Sequence, residues 1–205
     1  MKALIYDTET QGLPLFSEPS EDPRQPHVVQ LAALLVDVDT RKVIASMDVI
    51  VRPDGWTIPD DVAAIHGITT ERALEVGVSE SMAIGMFMEL YEASGILGCR
   101  VAHNEQFDAR IIRIALMRYD TPEEADRWKA GRAQCTQRLS TPILNLPPTE
   151  KMLAKKMRGP KSANLREAYK HFTGLELQDA HSALADARAC MDVYFAIKAT
   201  AAVAA

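Results

Sequence analysis

The chain has 205 residues, of which 47% are hydrophobic and 25% charged. This is ordinary globular composition: it excludes wholesale disorder, and the length suggests one domain. A net charge of −5 excludes a uniformly basic polyphosphate binder, and no apolar run approaches the ~18 residues of a membrane span.

Cys99, Cys135 and Cys190 are odd in number, far apart and in no C-x-x-C pair. They are expected to be reduced thiols in a cytoplasmic protein. A strand-like run begins at Lys2, which leaves no room before it for a signal peptide.

Lys2 to Tyr6 (KALIY) is short, apolar and followed by a polar turn, the pattern of a buried strand. Residues 11–26 hold four prolines and read as a loop. His27 to Val38 is a second strand, and Asp39-Thr40-Arg41 turns into a third, Lys42 to Val51, with one more exposed face. Ser79 to Ser94 places Met82, Met86 and Leu90 beside Ala83, Phe87 and Tyr91 in four-residue steps, an amphipathic helix capped by Ser79. Its methionines are expected to fill core. Gly98 to Ala102 is a short strand, Phe107 to Tyr119 a helix, and Ala133 to Thr136 a last short strand. A proline- and lysine-rich segment over 142–160 precedes helices at Asn164 to Phe172 and Ser182 to Lys198. The expected fold class is α/β: a mixed central sheet of about five strands, the first three a meander, flanked by helices. Residues 1–199 form the expected domain and 200–205 a frayed tail.

Polar residues with catalytic chemistry cluster where these elements end. Asp7 and Glu9 follow the first strand in YDTET and, two apart in extended chain, point to one side. Taken alone, D-x-E is also an ordinary strand end. In VAHNEQFD a strand runs into a polar turn, and Asp108 falls in the first turn of the next helix, where the helix dipole favours an acid. In AHSALADA, Asp186 lies on a face otherwise filled by alanine, leucine and cysteine, with His181 just before the helix. A carboxylate aimed at a core is costly unless it is paired, hydrogen-bonded or metal-bound. Four acids sharing one site repel, and divalent cations resolve the conflict. Oxygen ligands select Mg²⁺ or Mn²⁺, and two such ions can clamp the attacking and leaving oxygens of a phosphodiester displacement. A histidine of near-neutral pKa suits the general base.

D-T-E-T, H-N-x-x-F-D and H-x-x-x-x-D, in this order and at these separations, resemble the motifs of the DnaQ-like (DEDDh) 3′–5′ exonucleases. The likeness runs from Lys2 to about Ala199. Ile65-His66-Gly67-Ile68-Thr69 resembles that family's H-G-I-T element and Cys135-Thr136 its C/D-T element. The resemblance implies a ribonuclease-H-like fold and two divalent cations, Mg²⁺ or Mn²⁺. It implies that Asp7, Glu9, Asp108 and Asp186 hold metal and that His181 deprotonates the attacking water. The product would be a nucleoside 5′-monophosphate. The backbone around Thr8, Thr10 and Gly12 would bind the 3′-terminal nucleotide, Ile65 and His66 would line its pocket, and Asn104 and Phe107 would border the strand. Gln30 departs from the pattern, since many relatives carry an acid there; an effect on local polarity alone is expected. The chain stops soon after the last motif and shows no sliding-clamp motif or polymerase-tethering tail, so a stand-alone enzyme is expected.

Between Lys151 and Lys170 seven basic residues face one acid, a local charge of +6 that leaves −11 on the rest. Lys155, Lys156 and Arg158 are candidates for guiding phosphates toward the metals; a solvated loop is the plainer alternative. The expected substrate is the 3′ end of single-stranded or frayed DNA. RNA trimming is the alternative, because sensing a 2′-hydroxyl depends on pocket geometry. A catalytically silent nucleic-acid-binding module is disfavoured, because all four acids and the histidine are present.

Overall fold

A computed structural model describes residues 1–178 and 180–203 of the chain, with side chains described through 200. Five strands, β1 (Lys2–Thr10), β2 (Val28–Asp37), β3 (Lys42–Ile50), β4 (Cys99–Ala102) and β5 (Ala133–Cys135), form one sheet in the order β3-β2-β1-β4-β5. The first three are an antiparallel meander, whereas β4 runs parallel to β1 and β5 parallel to β4. The mixed five-stranded sheet is the one expected from the sequence.

Alternation along β1 divides the interior. Leu4 and Tyr6 point into a core shared with Phe87, Ile111, Leu116 and Trp128, while Ala3 and Ile5 meet Ala183, Ala187, Cys190 and Tyr194 on the opposite face. Covered on both faces, β2 is buried along nearly its whole length, and β3 is the exposed edge. Helices α3 (Glu80–Ala93), α4 (Glu105–Tyr119) and α5 (Pro122–Ala130) supply the first core, and α9 (Ala183–Val203) the second.

The structure adds α1 (Asp60–His66), α2 (Thr70–Val76), α5, α6 (Thr136–Leu144) and α7 (Glu150–Ala154) to the expected helices. Three of these, α1, α2 and α7, have seven residues or fewer, and α1 and α7 bury no residue, so no hydrophobic period marked them. By contrast, α8 (Leu165–Thr173) begins where expected, behind a capping box formed by Asn164 and Glu167. Ser79 caps α3 by accepting from the Met82 N–H. The inward face of α3 is corrected: Ala83, Ile84, Phe87 and Met88 are buried, but Met82 and Met86 are 57% and 43% exposed and fill no core. A stripe stepping by four drifts around a helix of 3.6 residues per turn, which turns these two methionines outward. The last helix continues through Val203, so the frayed tail expected from 200 onward is helical backbone to that point. Residues 204–205 of that tail lie outside the described residues. All three cysteines are free. No helix among the described residues is long and apolar enough to cross a membrane.

Candidate active site

Parallel pairing of β1 with β4 brings their C-terminal ends to the same edge of the sheet, where open α/β sheets place their ligand sites. Asp7 and Glu9 extend the Ala3–Ile5 row toward α9, and the alternate residues Thr8 and Thr10 are buried on the other side. Asp108 lies in the first turn of α4, fully enclosed. It accepts hydrogen bonds from the Thr8 N–H at 3.1 Å and the Thr8 hydroxyl at 2.7 Å.

Asp186 sits one turn into α9, and its Oδ2 accepts the His181 N–H at 3.2 Å. Its other oxygen, Oδ1, is buried without a hydrogen-bond partner. Glu9, His181 and Asp186 each offer one ligand atom, and these atoms lie within 4.8 Å of one another. Asn104 and His181, the residues that lead into α4 and α9, both adopt left-handed backbone with φ of 71°. Such strained turns at functional sites persist only where surrounding contacts enforce them.

Electrostatics tie the acids together. Burial raises Asp7 well above the usual carboxylate range, and Asp108, Asp186 and Glu9 push it further in the same direction. Burial and the neighbouring Asp186 lift Glu9 to about 7. Burial takes Asp108 to about 8 in spite of the two bonds from Thr8. Asp186 is raised by burial and only partly relieved by the His181 N–H and the charges of His181 and Arg166. Four carboxylates held at this cost, one with an orphaned oxygen, fit a cationic ligand.

His66 stands nearby, its pKa lowered by burial and by the charge of His181. Its Nδ1 accepts the Ile68 N–H at 3.1 Å, which assigns the ring proton to Nε2. That Nε2 is buried and has no partner within the protein.

The sequence profile of the RNase T-type exonuclease family matches residues 4–194. The chain belongs to the DnaQ-like 3′–5′ exonuclease family. Its fold is that of exonuclease I. Escherichia coli exonuclease I in complex with a dT13 oligonucleotide superposes with a TM-score of 0.72 at 21% identity, over 96% of this chain and 41% of that one. The zinc-bound form of the E. coli exonuclease I–ssDNA complex gives 0.70 at 20% identity over 97% and 40%. A moderately thermophilic exonuclease I from Methylocaldum szegediense gives 0.72 at 24% identity over 97% and 40%. The chain thus spans about two fifths of the length of these proteins. No curated protein sequence matches it.

Within this exonuclease fold all five motif residues gather at one sheet edge, but the other expected contacts are placed less evenly. Ile65 is exposed beside His66. Phe107 is partly buried against the main core, and Asn104 is exposed at the start of α4. Thr8 is corrected: its N–H and hydroxyl are both spent on Asp108, so it orients an acid and leaves no donor for a nucleotide. The Thr10 hydroxyl donates to the Gly12 carbonyl at 2.8 Å. Lys155, Lys156 and Arg158 are exposed and have no acidic partner among the described residues.

Three roles escaped the sequence reading. Gln30 pairs with Glu9 across β1 and β2. Its Oε1 accepts the Ala183 N–H at 3.1 Å and its Nε2 donates to Asp48 Oδ1 at 2.7 Å. It therefore ties the start of α9 to the sheet, which is more than local polarity. Arg166 is the member of the basic stretch whose charge reaches Asp186. His103 bridges Thr136 Oγ1 at 2.9 Å and the Ala163 carbonyl at 3.0 Å, binding the end of β4 to α6 and to the segment before α8.

Proposed function

We propose that residues 1–199 form one catalytic domain that removes nucleotides from the 3′ end of a nucleic acid strand, with single-stranded DNA as the preferred substrate. The observation that carries this reading is the convergence of Glu9, His181 and Asp186 within 4.8 Å, beside Asp7 and Asp108, whose carboxyls are raised by burial and by their neighbours. The complexes of exonuclease I with dT13 and other oligonucleotides support DNA as the substrate.

Asp7, Glu9, Asp108 and Asp186 would hold two divalent cations, Mg²⁺ or Mn²⁺. Bound there, the cations supply positive charge that offsets the carboxylates and stabilises the attacking and leaving oxygens. The exposed imidazole of His181 is the general base. It takes a proton as a water oxygen forms its bond to the terminal phosphorus. The bond from phosphorus to the 3′ oxygen of the penultimate nucleotide breaks, that oxygen is protonated from solvent, and a nucleoside 5′-monophosphate leaves. Asp186 restrains the base through the His181 N–H. His66 offers its unpartnered Nε2–H to the strand terminus. Ile65, Asn104 and Phe107 border the terminal nucleotide, Thr10 and Gly12 present backbone to it, and Lys155, Lys156 and Arg158 guide phosphates inward.

The test uses 5′-labelled single- and double-stranded DNA and RNA with Mg²⁺, Mn²⁺ or EDTA. A ladder of 5′-labelled strands shortened from the 3′ end is expected with metal, and none with EDTA. Asp7→Ala should lose roughly a thousandfold or more in rate. Undiminished cleavage by that variant would defeat the mechanism, and faster RNA than DNA cleavage would reassign the substrate.

A further inference from the structure

One depression on the molecule is lined by none of the residues of the acidic site. It has a volume of about 650 Å³ and lies along the exposed flank of α4, between that helix, the end of α5, the start of α6 and the loop after β1. Arg110, Arg113, Lys129 and Arg138 line it, opposed by Glu21 and by Glu105, which is engaged with the buried Arg100. A second depression of about 430 Å³ shares Glu105 and Arg138 with the first and adds Lys198, so the two adjoin at those side chains.

The cations of the first, a trough along α4, are poorly neutralised. Among the described residues neither Lys129 nor Arg138 has an acidic partner. Arg113 gives one nitrogen to Asp126 at 2.7 Å, but its Nη1 is buried with no partner. Arg110 reaches the Glu18 carbonyl through Nη2, and its Nε is likewise buried and unpartnered. Burial and the adjacent Arg113 lower the pKa of Arg110, and the charge of Glu21 offsets only part of this. Lys129 and Arg138, exposed beside these two arginines and without acidic partners among the described residues, favour a ligand that brings its own negative charge.

We propose that this trough is a second nucleic-acid subsite, which binds the phosphodiester backbone of a single strand upstream of its 3′ end. This rests on the exonuclease reading for the direction of the strand. Three features favour a strand over another polyanion. The trough begins at Glu105 and Gln106, in the same N-terminal part of α4 as Asp108, which puts one end of it on the element that carries a candidate acid. From Gln106 to Arg113 it follows α4 for about 10 Å, long enough to track a backbone. Phe16 stands on its rim, 58% exposed, and offers a ring on which an unpaired base can stack.

Equilibrium binding of 5′-fluorescein dT12 and dT2, read by anisotropy in EDTA, tests the proposal. Lys129 and Arg138 are exposed, so the double variant K129E/R138E should keep the fold, which a thermal melt verifies. It should bind dT12 about tenfold more weakly at low salt, and the slope of log K against log salt should become shallower by about 1.4, at 0.7 per lost contact on a single strand. Binding of dT2, too short to fill both sites, should change less than twofold. Phe16→Ala should weaken dT12 by about fivefold with no change in salt slope. Unchanged dT12 affinity and slope in K129E/R138E would overturn the proposal. So would an equal loss for dT2, or competition by polyglutamate as effective as that by dT12. The reading is independent of hydrolysis: trough-dependent binding without cleavage would defeat the exonuclease function alone, and cleavage with intact dT12 binding by K129E/R138E would defeat the trough alone.

Discussion

Gln30 shows how one amide can set the position of a candidate metal-binding acid. It stands beside Glu9 in the sheet and holds the first N–H of α9, the helix that carries Asp186, while donating to Asp48. A glutamate keeps the acceptor but cannot donate to Asp48, and it adds a charge to an edge already crowded with acids. Gln30→Glu should therefore cost about 1–3 kcal/mol of metal-free stability, from the lost part-buried bond to the Asp48 carboxylate and the charge added beside it. Urea unfolding of the two proteins in EDTA measures it, and equal midpoints would show that the amide bears no load. From sequence, Gln30 read only as a departure from an acidic pattern. Its two partners lie 18 and 153 residues away, and nothing local announces them.

Elements meet the site through their ends, and the joints are side chains. His103 joins β4 to α6 and to the segment ahead of α8, and burial lowers its pKa to about 4. An unfolded histidine titrates near 6.5, so between those values the unfolded chain binds the extra proton. The stabilisation is complete above about pH 6.5 and is lost as pH falls toward 4, by about 3 kcal/mol at most. Urea midpoints at pH 7 and pH 4.5 should differ more for the wild type than for His103→Gln, which bonds without titrating; equal differences would dismiss the joint. Helix α5 illustrates a signal that was legible and passed over. Thr121-Pro122-Glu123-Glu124 has a cap, a proline at the first turn and two acids, and Thr121 accepts the Glu124 N–H. The helix buries Ala125 and Trp128.

Across the whole molecule the balance of charge is a stability term. Four carboxylates are raised by burial, and Asp7 and Glu9 also by the neighbouring acids, so their ionised forms oppose folding unless a cation offsets them. Ligand binding to the native state alone adds about 2.7 kcal/mol at a hundredfold excess over Kd, or roughly 5–10 °C in Tm for a chain of this size. Mn²⁺ should therefore raise the melting temperature relative to EDTA. Asp7→Asn should melt higher than wild type in EDTA and gain less from Mn²⁺. A wild-type melting point indifferent to Mn²⁺ would remove the metal from the site.

The sequence by itself determined the chain's family, its meander of three strands and the acids at the ends of three elements. These are local patterns of two- and 3.6-residue period, with polar residues at fixed offsets from apolar runs. Its net charge of −5 excluded a uniformly basic binder, and two divalent ions would bring that total to about −1. Only the tertiary structure decided where positive charge collects. The basic stretch visible in sequence is largely solvated, whereas Arg110, Arg113, Lys129 and Arg138 come from three helices to line one trough. It also decided that Thr8 serves Asp108, that Gln30 anchors α9 and that the proton of His66 sits on Nε2. Each of these depends on atoms from segments far apart in the chain, brought into contact by the pairing of β1 with β2 and β4 and by the packing of α4 and α9 on its two faces.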